Sequence, residues 1–157
     1  MLFVVFAADG KRYALPVGRV REITPMVVFR EFPGAPQYVR GIMNYRGEVV
    51  PVIDLTVLLA GRESRRLLST RIIVVDHDGA DGKVHALGLV AEQVTDTAMT
   101  APGDVKPPGV EVESAPYLTG AILDRQGVVQ VADPARMLPE SLRESLFRAA
   151  SEIMDAP

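Results

Sequence analysis

The sequence predicts a mainly β protein made of two related modules, each a small barrel or sandwich, with short helices and one longer helix at the end. Three observations lead there. The apolar runs are short, rich in Val, Ile and Phe, and punctuated by turn chemistry. The strand–helix alternation of a parallel α/β sheet is missing. A segment of the first half recurs in the second.

The expected strands are Leu2–Ala8, Tyr13–Val17, Met26–Phe29, Val49–Ile53, Ile72–Val75, His85–Val90 and Val128–Ala132. Asp9-Gly10 reads as a hairpin turn, as do Asp78-Gly79 and Asp81-Gly82. Short helical turns are expected at Gly18–Ile23 and Ala35–Arg40. The clearest helix is Pro139–Met154, where Leu142, Leu146, Ala149/Ala150 and Ile153 form one apolar face. Ser141 to Glu144 has capping-box spacing, and Glu144 can pair with Arg148. Gly61–Thr70 reads as a solvated linker despite its arginines. Ala101–Pro116, with four prolines, reads as a long irregular connection.

Tyr38–Leu59 lies over Tyr117–Leu138 at an offset of 79 with no gap. Eight of the 22 positions are identical, among them Gly41/Gly120, Arg46/Arg125 and Asp54/Asp133, where chance gives about one or two. The hairpin around Gly10-Lys11 resembles that around Gly82-Lys83, with Ala14-Leu15 set against Ala86-Leu87 at an offset of 72. Seven residues are then inserted in the second half. The modules fall at about 1–60 and 70–138 of a single 157-residue domain, followed by the helix at 139–154. A groove between two such units is a usual binding site.

Composition removes several functions. Lys plus Arg is 17 and Asp plus Glu is 20, a net charge of −3, which suits neither nucleic acid nor an anionic membrane. With no Cys and two His, thiol chemistry and ordinary zinc sites lack ligands. Leu2–Ala8 has no basic segment before it and is too short to span a bilayer, so it reads as a strand, and the expected address is the cytoplasm. No nucleophile elbow, phosphate loop or dinucleotide glycine run occurs. His77 is expected in an exposed hairpin turn, and His85, set against Tyr13, in a packing role. Asp54 and Asp133 are expected to cap the segments after them, Leu55–Leu59 and Pro134–Leu138. No catalytic residue, metal or cofactor is indicated.

The segment Tyr38-Val39-Arg40-Gly41-Ile42-Met43-Asn44-Tyr45-Arg46-Gly47-Glu48-Val49-Val50-Pro51-Val52-Ile53-Asp54-Leu55 resembles the hallmark of the CheW family of bacterial chemotaxis coupling proteins. Tyr13–Val17, Val20–Ile23 and Phe32–Pro36 resemble the family too, and the likeness covers about residues 2–138. It implies a CheW-like fold of two five-stranded β-barrels and a scaffold without catalysis. Its implied partners are the cytoplasmic tip of a chemoreceptor and the regulatory domain of a CheA-type histidine kinase, in membrane-associated receptor arrays. Self-association, or pairing with other CheW-like domains, is a further mode open to exposed strand edges.

The resemblance also implies a partner-binding set: Val20, Glu22, Ile23, Gly41, Asn44, Arg46 and Gly47. For Arg46 two readings stand, a guanidinium that clamps carbonyls or carboxylates of a helix tip, or a structural Arg holding its turn as Arg125 would. Asn44 and the two glycines read most simply as backbone requirements, and Glu22 either orients Arg46 or is solvated. Tyr45 departs from the family's aliphatic residue beside the Arg. Competing readings are a divergent relative serving surface sensing, pilus motility or cyclic-di-GMP output through the kinase alone, and a small enzyme or sensor using the seam between barrels.

Overall fold

In the computed structural model, which describes residues 1–79, 81–100, 104–108 and 115–155, the chain starts as a hairpin. Strands β1 (Leu2–Ala8) and β2 (Lys11–Pro16) pair antiparallel across Asp9 and Gly10. Both turn residues have positive φ, 52° and 75°, which matches the twist of the flanking strands. A single 3-10 turn at Val17–Arg19 leads into β3 (Val20–Pro25). Next come β4 (Val39–Tyr45), β5 (Glu48–Asp54), helix α1 (Leu55–Ala60), β6 (Arg71–Asp78), β7 (Val84–Met99), β8 (Leu118–Asp124), β9 (Gly127–Ala132) and helix α2 (Glu140–Asp155).

Several expectations change. Gly18–Ile23 is mostly strand, because β6 pairs along it from Val20 to Pro25. That register ends at Pro25↔Arg71, so Met26–Phe29 has no strand to join. Met26 and Phe29 instead pack on the core. Ala35–Arg40 forms no helix. Pro33, Gly34 and Pro36 keep it in turns, with Val39 N–H donating to Pro36 O at 2.9 Å, and β4 begins at Val39. Strands β4 and β8 were missed, since each interrupts its apolar run with a glycine, Gly41 or Gly120. Within Ala101–Pro116, residues 101–103 and 109–114 lie outside the described residues. Lys106 bridges Ala121 on the edge of β8.

The two spatial halves exchange hairpins between the sequence repeats. One half orders its strands β3-β6-β7-β5-β4, the other β7-β1-β2-β9-β8, five in each. Strand β7 belongs to both. Residues Val84–Ala91 pair with β6, and Glu92–Met99 pair with β1. At the passage between them Gln93 has φ 51° and the ladder to β1 is irregular. Among the described residues, no ladder joins β3 to β4 or β7 to β8, so the two expected barrels are unclosed five-stranded parts of one sheet, and the mainly β class holds.

The repeats superpose in their hydrogen bonds. Asp54 N–H donates to Tyr38 O at 2.7 Å, and Asp133 N–H to Tyr117 O at 2.8 Å. Each carboxylate then caps the next helical segment, accepting from Thr56 N at 2.9 Å and from Ala135 N at 3.0 Å. Parallel pairing sets Val52 against Gly88 and Val131 against Ala14. Because Val52 and Val131 are equivalent, Gly88 is the counterpart of Ala14. The hairpin offset of 72 is therefore two short, and His85 does not stand in for Tyr13.

Three apolar clusters arise from strand alternation. One fills the half around β5 and β6 (Met43, Val50, Val52, Ile72, Val74) and one the half around β2 and β9 (Phe3, Ala14, Val129, Val131). The third fills the seam between them with Phe6, Tyr13, Leu15, Ile53, Leu87 and Tyr117, closed over by Leu146 and Phe147 of α2. The seam is solid core rather than an open groove.

Candidate functional site

The β4–β5 hairpin turns on Arg46 and Gly47, with φ 52° and 83°. Glycine adopts this conformation freely and arginine does not. Asn44 secures the turn, its Oδ1 accepting from Gly47 N at 2.8 Å. The Arg46 side chain is 73% exposed and reaches across to β3, where Nη2 donates to Glu22 Oε1 at 3.0 Å and Oε2 at 3.1 Å. Nη1 and Nε have no partner among the described residues.

Tyr45 completes the cluster. Its hydroxyl donates to Glu22 Oε2 at 2.7 Å, and its ring lies 5.4 Å from Arg46 Cζ. The Tyr45 bond, then the Arg46 charge, hold the Glu22 carboxyl below the usual range, and the same bond raises the Tyr45 phenol. Beside them Arg21 pairs with Asp76 and, at 3.9 Å, with Glu48. Tyr45 was not among the expected site residues. The visible signal was its position next to Arg46, where an aromatic hydroxyl replaces an alkyl group.

The expected residues do not all meet on one face. A bulge at Arg21 places Val20 opposite Val75 and Ile23 opposite Ile73, both on the seam side, whereas Glu22 is opposite Val74 on the other face. Ile23 is exposed, and Val20 packs partly on the seam core. Gly41 is buried: a Cβ there would stand 2.1 Å from Arg30 O. It supports the site by letting the Arg30 segment lie against β4, with Ile42 N–H donating to Arg30 O at 2.8 Å.

The second hairpin is a different object. At the counterpart of Tyr45, Asp124 accepts from Gln126 N at 2.9 Å and from both terminal nitrogens of Arg12 at 2.8 Å. The positive φ falls on Gly127, at 119°, and not on Arg125. Arg125 pairs with no carboxylate among the described residues. Repetition therefore gives no support to a purely structural Arg46, since Asn44 secures the first turn.

The histidines also differ from expectation. His77 is 0% exposed in β6, because the strand runs on through Asp78 before the turn begins. Phe147 of α2 packs against both it and its cross-strand partner His85, at ring distances of 5.5 and 4.6 Å, and His85 Nε2 lies 3.1 Å from Asp81. Among the described residues, no group of three or more His, Cys, Asp or Glu could hold a metal ion. No helix among them is long and apolar enough to cross a membrane.

A profile of the CheW-like domain matches residues 2–142. The chain belongs to the CheW-like family. The chemotaxis protein CheW of Bacillus subtilis is 25% identical over 144 residues, covering 90% of this chain and 89% of that one. Protein FrzA of Myxococcus xanthus is 29% identical over 121 residues, covering 76% and 72%. Protein PilI of Pseudomonas aeruginosa is 31% identical over 72 residues, covering 46% and 40%. The crystal structure of the scaffolding protein TtCheW from Thermoanaerobacter tengcongensis shares the fold, with a TM-score of 0.79, 24% identity and 92% of each chain covered. As a member of the family, the chain is a chemosensory scaffold or adaptor and not an enzyme.

Proposed function

We propose that this protein couples the cytoplasmic tip of a chemoreceptor to a CheA-type histidine kinase, working in the cytoplasm and drawn into membrane-associated receptor arrays. We read residues 1–157 as one CheW-like domain with repeats at about 1–60 and 70–138 and a terminal helix at 139–154. The partner-binding surface centres on Arg46 and Glu22 and extends round β3 to Ile23 and Val20 on its other face, with Asn44, Gly47 and Gly41 holding its backbone.

The supporting observation is the division of labour at the β4–β5 turn. Asn44 holds the backbone, and Arg46 is left exposed with Nη1 and Nε unengaged. The remaining N–H donors, on Nη1 and Nε, suit directional single bonds to a carboxylate or to helix carbonyls. Ile23 adds exposed apolar area, and the charges set register and partner choice more than affinity.

The test is reconstitution of a receptor fragment, the kinase and this protein. Assembly and kinase activity should depend on the protein. Arg46→Ala should weaken receptor pull-down about tenfold or more, the effect of losing a charged hydrogen bond at an interface, and leave kinase binding intact. Identical kinase activity with and without the protein rejects the adaptor reading. The likeness to FrzA and PilI favours a second reading, a coupler of a non-swimming pathway that engages mainly the kinase. Kinase binding by the wild type with no receptor binding would select it.

A further inference from the structure

The two repeats separate what a hairpin needs from what this hairpin adds. The β8–β9 turn forms with Asp124 accepting from Gln126 N, and it directs that carboxylate away from the tip to Arg12. The matching position in the first repeat is Tyr45. Its ring packs against the core cluster of Met43 and Val50, so its place is set by burial. From there its hydroxyl takes Glu22 Oε2 at 2.7 Å and its ring face underlies the Arg46 guanidinium at 5.4 Å. One anchored aromatic thus restrains both members of the Glu22–Arg46 pair. Unaided, two long side chains in an exposed ion pair are loosely ordered and contribute little.

We propose that Tyr45 is a positioning residue for partner docking: it fixes Glu22, and through Glu22 and its own ring it holds Arg46 so that its remaining N–H donors, on Nη1 and Nε, are offered to an acceptor on a helical tip. This rests on the adaptor reading of the same site. Arg46 then has less rotamer freedom to lose when it binds, which raises affinity without a new contact. Glu22 is already engaged by a hydroxyl and a guanidinium, so a basic group on the partner would have to compete for it. The tips that fit present a carboxylate or a free carbonyl to Arg46.

Tyr45→Phe keeps the ring and removes the hydroxyl. In the full-length protein, NMR titration of the Glu22 carboxyl should move up toward the ordinary carboxylate range, and the Arg46 Nε–H signal should broaden. Binding of a receptor-tip fragment should weaken about three- to tenfold, the effect of leaving one long side chain to be ordered on binding, with an unchanged melting temperature. Tyr45→Leu, which also removes the ring from beneath Arg46, should weaken it further. If Tyr45→Phe leaves tip binding at the wild-type value, the proposal is overturned whether or not Glu22 shifts, because the bond is then structural only. If the wild type itself binds no tip, the adaptor reading falls and takes the docking role with it. The wild-type arm tells these two failures apart.

Discussion

Arg46 and Asn44 share one turn and do different work there. Asn44 satisfies the backbone at Gly47, and Arg46, held in a left-handed conformation at φ 52°, extends a charge toward solvent. Gly41 shows the opposite case, a residue whose constraint is entirely internal. With φ 143° and Arg30 O 2.1 Å from the place of a Cβ, Gly41→Ala must push the Arg30 segment off β4. We expect a loss of about 3 kcal/mol or more, the range for strain combined with overpacking. Urea denaturation measures it, and a loss under about 1 kcal/mol contradicts the geometry. At the counterpart Gly120 a Cβ would stand 2.9 Å from Val105 Cγ1 and 3.1 Å from Lys106 O, so its substitution should cost less.

Among the elements, the α1–β6 connection is the one whose character changed most. Gly61–Thr70 reads from sequence as a solvated linker, yet two buried carboxylates pin it. Asp54 accepts from Ser64 N at 2.9 Å and Ser64 Oγ at 2.6 Å, and Arg40 lies 3.5 Å from it. Glu92, where β7 passes between halves, accepts from Arg62 and from Arg65 N, each at 2.8 Å. Arg62 also comes within 4.0 Å of Asp9 at the β1–β2 turn, so the strap touches both halves. Asp54→Ala strips the acceptor from Ser64 and the α1 cap together. We expect a loss of about 3–5 kcal/mol, as when a buried charge network is broken. Limited trypsin digestion should cut faster at Arg62, Arg65 or Arg66, and an unchanged cleavage rate argues against the strap.

At the scale of the whole molecule, exchange of hairpins between repeats makes each half depend on the other for strands. Neither sequence repeat contains a complete half, so unfolding should be cooperative across the chain. Helix α2 closes the seam over β6 and β7, and its Phe147 covers His77. Burial, and then the charge of Arg143, hold the His77 imidazole down at about 4, against 6.5 when free. Its folded pKa is depressed, so the unfolded chain takes up a proton that the folded one refuses. Stability is full above pH 6.5 and falls as pH drops toward 4, by about 3 kcal/mol at most. The lowered carboxyls Glu22, Asp81, Glu92 and Asp124 add their losses at more acid pH. His77→Leu should flatten the limb between pH 6.5 and 4 in thermal melts, and an identical slope rules out this source.

By itself the sequence determined the β class, the repeat between Tyr38 and Leu138 and the turns of the β1–β2 and β6–β7 hairpins, because turn residues, alternation and duplication are local and periodic signals. It also placed the caps at Asp54 and Asp133 and most of α2. Only the tertiary structure decided that Val20–Pro25 is a strand and Met26–Phe29 is not, since a strand exists where another supplies its hydrogen bonds. Long-range packing alone filled the seam, buried His77 under Phe147, turned Gly61–Thr70 into a strap and brought the Tyr45 hydroxyl to Glu22. Those outcomes depend on which distant side chains come into reach, a quantity that no stretch of neighbouring residues encodes.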